Sequence, residues 1–158
     1  MRIIGIDPGY GILGFGVIDY EKNKHTLVDY GVIKTSKDLA FPDRLLHIGK
    51  RLNELLNIYK PDEMAVEELF FHKNAKTAMF VAQARGVILY VAREHDIPLY
   101  EYTPLQIKQG LVGYGRAEKI QIQQMVKIFL NLQKIPKPDD AADALAVAIT
   151  HSNTKRYI

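Results

Sequence analysis

The chain has 158 residues, a length that fits one domain spanning residues 1–158, and its 47% apolar content is enough for a core, while no apolar run approaches the roughly 18 residues of a membrane span. It contains no cysteine, which excludes disulfides and thiolate metal sites, and its first residues read as a strand without the features of a signal peptide, so the cytoplasm is the expected location. A net charge of +3 and a pI near 9.0 are compatible with a polyanionic partner but do not single one out.

In chain order, Arg2 to Asp7 is apolar and β-branched and predicts a strand. Leu13 to Tyr20 predicts a second strand after a glycine-rich turn, and His25 to Thr35 a third after the polar turn Glu21-Lys22-Asn23-Lys24. Such short connections imply an antiparallel meander. Leu45, Ile48, Leu52, Leu55, Leu56 and Tyr59 then fall on one face at helical spacing, and Pro61 ends that helix. Glu63 to Glu68 is a short apolar run ending in two acids and reads as a buried strand. The alanine-rich stretch Ala75 to Arg93 reads as a largely buried helix, and its apolar circumference points to deep burial or a dimer seam. Ile97 to Tyr102 predicts a further strand, and Thr103-Pro104 has the cap-then-proline pattern of a helix start. Beyond a loop with Gly110, Gly113 and Gly115, a helix is expected from Ala117 to Leu132, then a turn over Lys134 to Pro138. A final helix from Ala141 to His151 is capped by Asp139 or Asp140. The order condenses to β-β-β-α-β-α-β-α-α: an α/β chain with a mixed five-stranded sheet, three antiparallel strands then two parallel, flanked by helices. That is the order of the ribonuclease H-like fold.

Several acids sit at element ends. Asp7 closes the first strand directly before Pro8-Gly9, where a proline halts the ladder. Glu67 and Glu68 end the fourth strand. Successive residues face opposite ways, and spacing alone does not choose between them; our reading puts Glu67 in a site and Glu68 towards solvent. Asp140 and Asp143, three apart at a helix start, share one face. Each has an ordinary structural explanation alone: an Asp-Pro-Gly turn, a helix cap. Together they form a set of converging carboxylates that needs cations to offset repulsion and burial. All-oxygen ligands favour a hard ion, Mg²⁺ with Mn²⁺ as a substitute. Two such ions about 4 Å apart activate water and stabilise the leaving oxygen of a phosphodiester.

The segments that carry these acids resemble the RuvC family of bacterial Holliday junction resolvases. The matching pieces are Gly5-Ile6-Asp7-Pro8-Gly9; Ala65-Val66-Glu67-Glu68 with Phe70 and Lys73-Asn74-Ala75; Gln83-Ala84-Arg85-Gly86-Val87; Gln106-Ile107-Lys108-Gln109; Ala117-Glu118-Lys119; and Asp140-Ala141-Ala142-Asp143-Ala144-Leu145-Ala146 with Ile149-Thr150-His151. They run through almost the whole chain in the family's order. The resemblance implies Asp7, Glu67, Asp140 and Asp143 as catalytic, metal-holding acids, in a version that has Asp140 where some members have histidine. It also implies a ribonuclease H-like fold, two Mg²⁺ ions per site, a homodimer, paired symmetric nicks across a four-way DNA junction, and a branch-migration helicase complex of the RuvA–RuvB type as partner.

Phe70 and Phe71 follow the catalytic strand, and two adjacent aromatics do not share one core. The resemblance points to Phe70 as the ring that stacks on an unpaired base at the junction centre, with Phe71 kept for packing. Lysines on helices are commonly just solvated, but the match to family positions favours phosphate contact for Lys108 and Lys119. Lys73, Lys76, Arg85 and Arg116 are further candidates for that surface. His25, His47 and His72 have no ligand spacing and read as surface or packing residues.

Other classes fit less well. A sugar-kinase or actin-like ATPase also opens with an apolar strand, an Asp and a Gly, but needs two similar lobes. A non-catalytic DNA-binding module gains nothing from four acids beside phosphates. A related nuclease on RNA or RNA–DNA hybrids shares the acids, and only the Phe70 region and the full-length match favour junctions over it.

Overall fold

The structure, a computed structural model, describes residues 1–68, 75–113 and 115–154. Strands β1 (Arg2–Asp7), β2 (Ile12–Glu21), β3 (Lys24–Lys34), β4 (Glu63–Glu67) and β5 (Leu99–Tyr102) form one five-stranded sheet in the order β3-β2-β1-β4-β5. β1 and β2 pair antiparallel, as do β2 and β3, whereas β1–β4 and β4–β5 are parallel. Helices α1 (Phe41–Tyr59), α2 (Ala75–Glu94), α3 (Pro104–Val112), α4 (Lys119–Phe129) and α5 (Asp139–Thr154) complete it. The condensed order is thus one helix short: the Thr103-Pro104 start and the helix expected from Ala117 belong to separate elements, α3 and α4. Among the described residues no helix is long and apolar enough to cross a membrane.

Local chemistry accounts for the boundaries. The β2–β3 turn places Lys22 and Asn23 in the left-handed region, at φ 49° and 66°, which suits the twist of a tight hairpin. α3 begins with a capping box: Thr103 Oγ1 accepts from the Gln106 N–H at 3.1 Å, and Gln106 Oε1 accepts from the Thr103 N–H at 2.9 Å, with Pro104 in the first turn. α4 begins at Lys119, two residues later than Ala117, because Glu118 takes the cap position and donates its N–H to Gln121 Oε1 at 2.7 Å. α5 begins at Asp139, not Ala141, so Asp140 lies inside the first turn.

Alternation along the strands divides the core in two. Ile4 and Ile6 of β1, Leu13, Phe15 and Val17 of β2, and Met64 and Val66 of β4 pack against α1 and α2. Ile3, Ile18 and Ala65 face the other way, into a second cluster with α3, α4 and α5. The helix buried on all sides is therefore α5, covered from Ala144 to Ser152, because α3 and α4 close over its outer side. α2, expected to be largely buried, buries only Ala84, Ile88, Val91 and Ala92, and leaves Met79 and Tyr90 exposed. Its buried residues occupy one stripe, and Met79 and Tyr90 lie outside it.

Candidate active site

The second face of the sheet carries the site. Asp7 and Gly5 share the side of β1 occupied by Ile3, and Glu67 shares the side of β4 occupied by Ala65. Both carboxylates therefore point to the α5 side at the ends of adjacent parallel strands. Glu68 lies just past the strand and is exposed, its N–H bonded to the Tyr102 carbonyl at 2.7 Å. Of the two glutamates, β4 therefore sets Glu67 beside Asp7 and leaves Glu68 exposed.

α5 reaches these carboxylates because glycine clears its path. A Cβ on Gly5 would lie 2.1 Å from the Ala144 carbonyl oxygen, and one on Gly14 only 2.0 Å from that of Asp140. Gly14 is the register partner of Asp7, and Gly16 that of Gly5. The bare strip across β1 and β2 lets the helix lie against the backbone and brings the first turn of α5 to Asp7. The N-terminal end of a helix also favours negative charge, which helps to hold Asp139, Asp140 and Asp143 there.

The electrostatics record the crowding. Asp7 is pushed up to about 8, first by burial, then by the charges of Glu67, Asp143 and Asp140. Glu67 is pushed up to about 7 by burial and by Asp143, against the lowering effects of its hydrogen bond with Asp7 and of Lys108 and Lys119. Burial and mutual repulsion thus act on Asp7 and Glu67 together and raise both. Burial also raises Asp143, with Lys119 opposing and Asp140 and Asp139 adding to the rise. Lys119 Nζ lies 3.2 Å from Asp139 and 4.0 Å from Asp143. Burial lowers the Lys119 ammonium, but the neighbouring acids outweigh it and the net shift is upward.

A cavity of about 220 Å³ opens beside the acids. Glu67, Asp143, Lys108 and Lys119 supply its charged walls, and Ile107, Ile122 and Ala146 its apolar floor. Among the described residues no three acids or histidines converge as a ready-made metal cage. The donor chemistry nonetheless fits a hard divalent cation: the carboxylates are partly buried, supply only oxygen, and raise one another's pKa by repulsion that a cation would offset.

The structure thus brings Asp7, Glu67, Asp140 and Asp143 to one end of the sheet, with Lys108 and Lys119 on the wall above them. Arg116 is exposed in the loop before α4. Arg85 forms an ion pair with Glu101 of β5. Phe70, Phe71, His72 and Lys73 lie outside the described residues. His25 is buried, bonded to Ser152 Oγ at 2.7 Å, which is a packing role. A buried group that periodicity does not pick out joins His151 to Glu63 Oε2 and the Tyr102 hydroxyl, each at 2.6 Å. A histidine late in an alanine-rich helix and an acid opening an apolar strand are its only signals.

A mixed sheet of this order with acids gathered where the last helix meets the first strand defines a ribonuclease H-like nuclease. The family model for crossover junction endodeoxyribonuclease RuvC matches residues 3–151. The chain is similar to the RuvC of Alkaliphilus metalliredigens, 57% identical over 157 residues that cover 99% of this chain and 96% of that one. It superposes on the Thermus thermophilus RuvC structure with a TM-score of 0.94 at 39% identity, covering 99% of this chain and 96% of that one. It also superposes on T. thermophilus RuvC in complex with a Holliday junction substrate, with a TM-score of 0.92 at 37% identity and the same coverage of 99% and 96%. The chain belongs to the RuvC family.

Proposed function

We infer that this protein is an endodeoxyribonuclease that resolves four-way DNA junctions by paired symmetric nicks. The observation that carries the reading is the gathering of Asp7, Glu67, Asp140 and Asp143 at one end of the sheet, three of them with raised pKa values, below a wall bearing Lys108 and Lys119. Such a site holds negative charge at a high free-energy cost, which suits carboxylates that bind cations and is unexplained in a passive scaffold. The similar Thermus RuvC is found in complex with a Holliday junction substrate, which supports the choice of DNA.

In this reading Asp7, Glu67, Asp140 and Asp143 hold two Mg²⁺ ions, with Mn²⁺ as a substitute. Bound there, the ions supply an activated water and charge stabilisation of the leaving oxygen. The residues themselves do the rest. Asp7 and Glu67, raised by burial and mutual repulsion, would hold the ions as carboxylates. Lys108 and Lys119 draw the phosphodiester to the cavity mouth and fix its register. Phe70, three residues beyond Glu67, stacks in the unpaired centre of the junction. Lys73, Arg85 and Arg116 extend the phosphate surface, Arg85 by exchanging Glu101 for DNA.

The chain acts as one domain and as a homodimer in the cytoplasm, because a two-fold pair places one site on each of two opposed strands. The exposed stripe of α2 with Met79 and Tyr90 supports pairing. A branch-migration helicase of the RuvA–RuvB type is the proposed partner. Purified protein with Mg²⁺ should cut a synthetic four-way junction at two symmetric positions, and leave the matched linear duplex and the RNA–DNA hybrid largely intact. Equal cutting of the hybrid would transfer the reading to a ribonuclease.

A further inference from the structure

Asp139 is not among the four acids, yet it has the densest set of polar partners at the rim of the site. Its Oδ2 takes Lys119 Nζ at 3.2 Å. Its Oδ1 accepts from Gln123 Nε2 at 3.2 Å and from Lys137 Nζ at 3.3 Å. Gln123 is only 6% exposed, an unusual place for an amide unless its hydrogen bond is needed there. Lys119 and Gln123 are four apart on α4 and so share one face. α4 therefore grips the Asp139 carboxylate at two points, and the buried amide fixes the orientation in which it meets the ammonium.

Without that carboxylate, the nearest acid to Lys119 is Asp143, already 4.0 Å away. A long, freely rotating ammonium beside a partly buried carboxylate closes that gap, and then occupies oxygen atoms that a cation needs. We propose that Asp139 is a positioning residue for Lys119: it holds the ammonium at the rim of the acid cluster, where a DNA phosphate arrives, and keeps it off Asp143. The proposal rests on the nuclease reading above for its consequence in cleavage, but the tether itself is independent of it.

The ion pair is partly exposed, so its effect is one of placement and is modest in size. Asp139→Ala should slow junction cleavage about threefold to fivefold, and raise the Mg²⁺ concentration for half-maximal cleavage by a similar factor. Mn²⁺ binding by the full-length protein without DNA should weaken in parallel, as read by calorimetry. All these losses should shrink to little in a Lys119→Ala background, because there is no ammonium left to misplace. Asp139→Asn, which keeps the Gln123 contact, should fall between, and Lys137→Ala should behave as wild type. Melting curves confirm that each variant is folded. Equal losses in the Lys119 and Lys119→Ala backgrounds would overturn the proposal, as would an Asp139→Ala variant that matches wild type or a Lys137→Ala variant that reproduces its losses. Wild-type protein that cuts no junction would instead refute the nuclease reading, with the Mn²⁺ coupling still measurable.

Discussion

Gly14 of β2 lies so close to Asp140 of α5 that a single added Cβ would stand 2.0 Å from the Asp140 carbonyl oxygen. The same glycine is the register partner of Asp7. One missing side chain thus sets the distance between the acid at the end of the first strand and the acids that open the last helix, 133 residues later in the case of Asp140.

Gly14→Ala should therefore push the first turn of α5 outward. Overpacking of this kind typically costs about 1–3 kcal/mol, and the displaced acids should lower cleavage by about tenfold or more. Gly86, where a Cβ meets nothing within 4 Å, is the control: Gly86→Ala should keep or raise the melting temperature. Normal cleavage by Gly14→Ala would mean that the approach of the helix does not set the site.

The raised carboxyls of Asp7 and Glu67 give a pH signature. A carboxyl with a raised folded pKa binds its proton more tightly than the unfolded chain does. Its stabilising contribution is complete below the unfolded value of 3.8 for Asp7 and is lost as pH rises through about 8. The metal-free protein should thus lose melting temperature between about pH 4 and 8, by on the order of 5 °C. Mg²⁺ should stabilise more at the upper end, where it replaces the departed proton. Asp7→Asn should flatten the slope. A slope identical to wild type in that variant would place the titration elsewhere.

The two lysines on the cavity wall should reveal themselves in salt. Where the lysine touches a phosphate, Lys108→Ala or Lys119→Ala should each shallow the log–log salt dependence of junction binding by about one unit. Unchanged slopes with unchanged activity would make both lysines ordinary solvated side chains.

Phe70 separates a junction enzyme from a general nuclease. A ring that stacks on an unpaired base contributes about 1–3 kcal/mol only where a gap exists, so Phe70→Ala should lose about tenfold or more in junction cleavage. Phe70→Tyr and Phe70→Trp keep the ring face and should retain much of the activity. A junction with pre-unpaired central bases should partly rescue Phe70→Ala, since the unstacking cost of a few kcal/mol is already met. Equal loss on both substrates would return Phe70 to the core.

Strand alternation, the proline after Asp7 and the three-residue spacing of Asp140 and Asp143 report local backbone geometry, so the mixed sheet and the ends that carry the acids are legible in the sequence alone. What pattern does not encode is which helix lies innermost. Alanine richness is common to α2 and α5, yet only α5 is enclosed, because glycines on β1 and β2 admit it and α3 and α4 cover it. The choice of Glu67 over Glu68 depends on which face of β4 receives α5, a tertiary fact. The partners of Asp139 are hidden for the same reason: Gln123 and Lys119 are ordinary helix residues until α4 docks on α5.

The central claim is that Asp7, Glu67, Asp140 and Asp143 act together on a phosphodiester at a branch point. Single-turnover cleavage of one synthetic four-way junction in Mg²⁺, compared across wild type, Asp7→Asn, Glu67→Gln, Asp140→Asn, Asp143→Asn and Glu68→Gln, tests it most directly. The four site variants should each lose at least about a hundredfold while still binding the junction, and Glu68→Gln should cut at nearly the wild-type rate. A dead Glu68→Gln beside an active Glu67→Gln, or any of the four site variants cutting normally, would contradict the account.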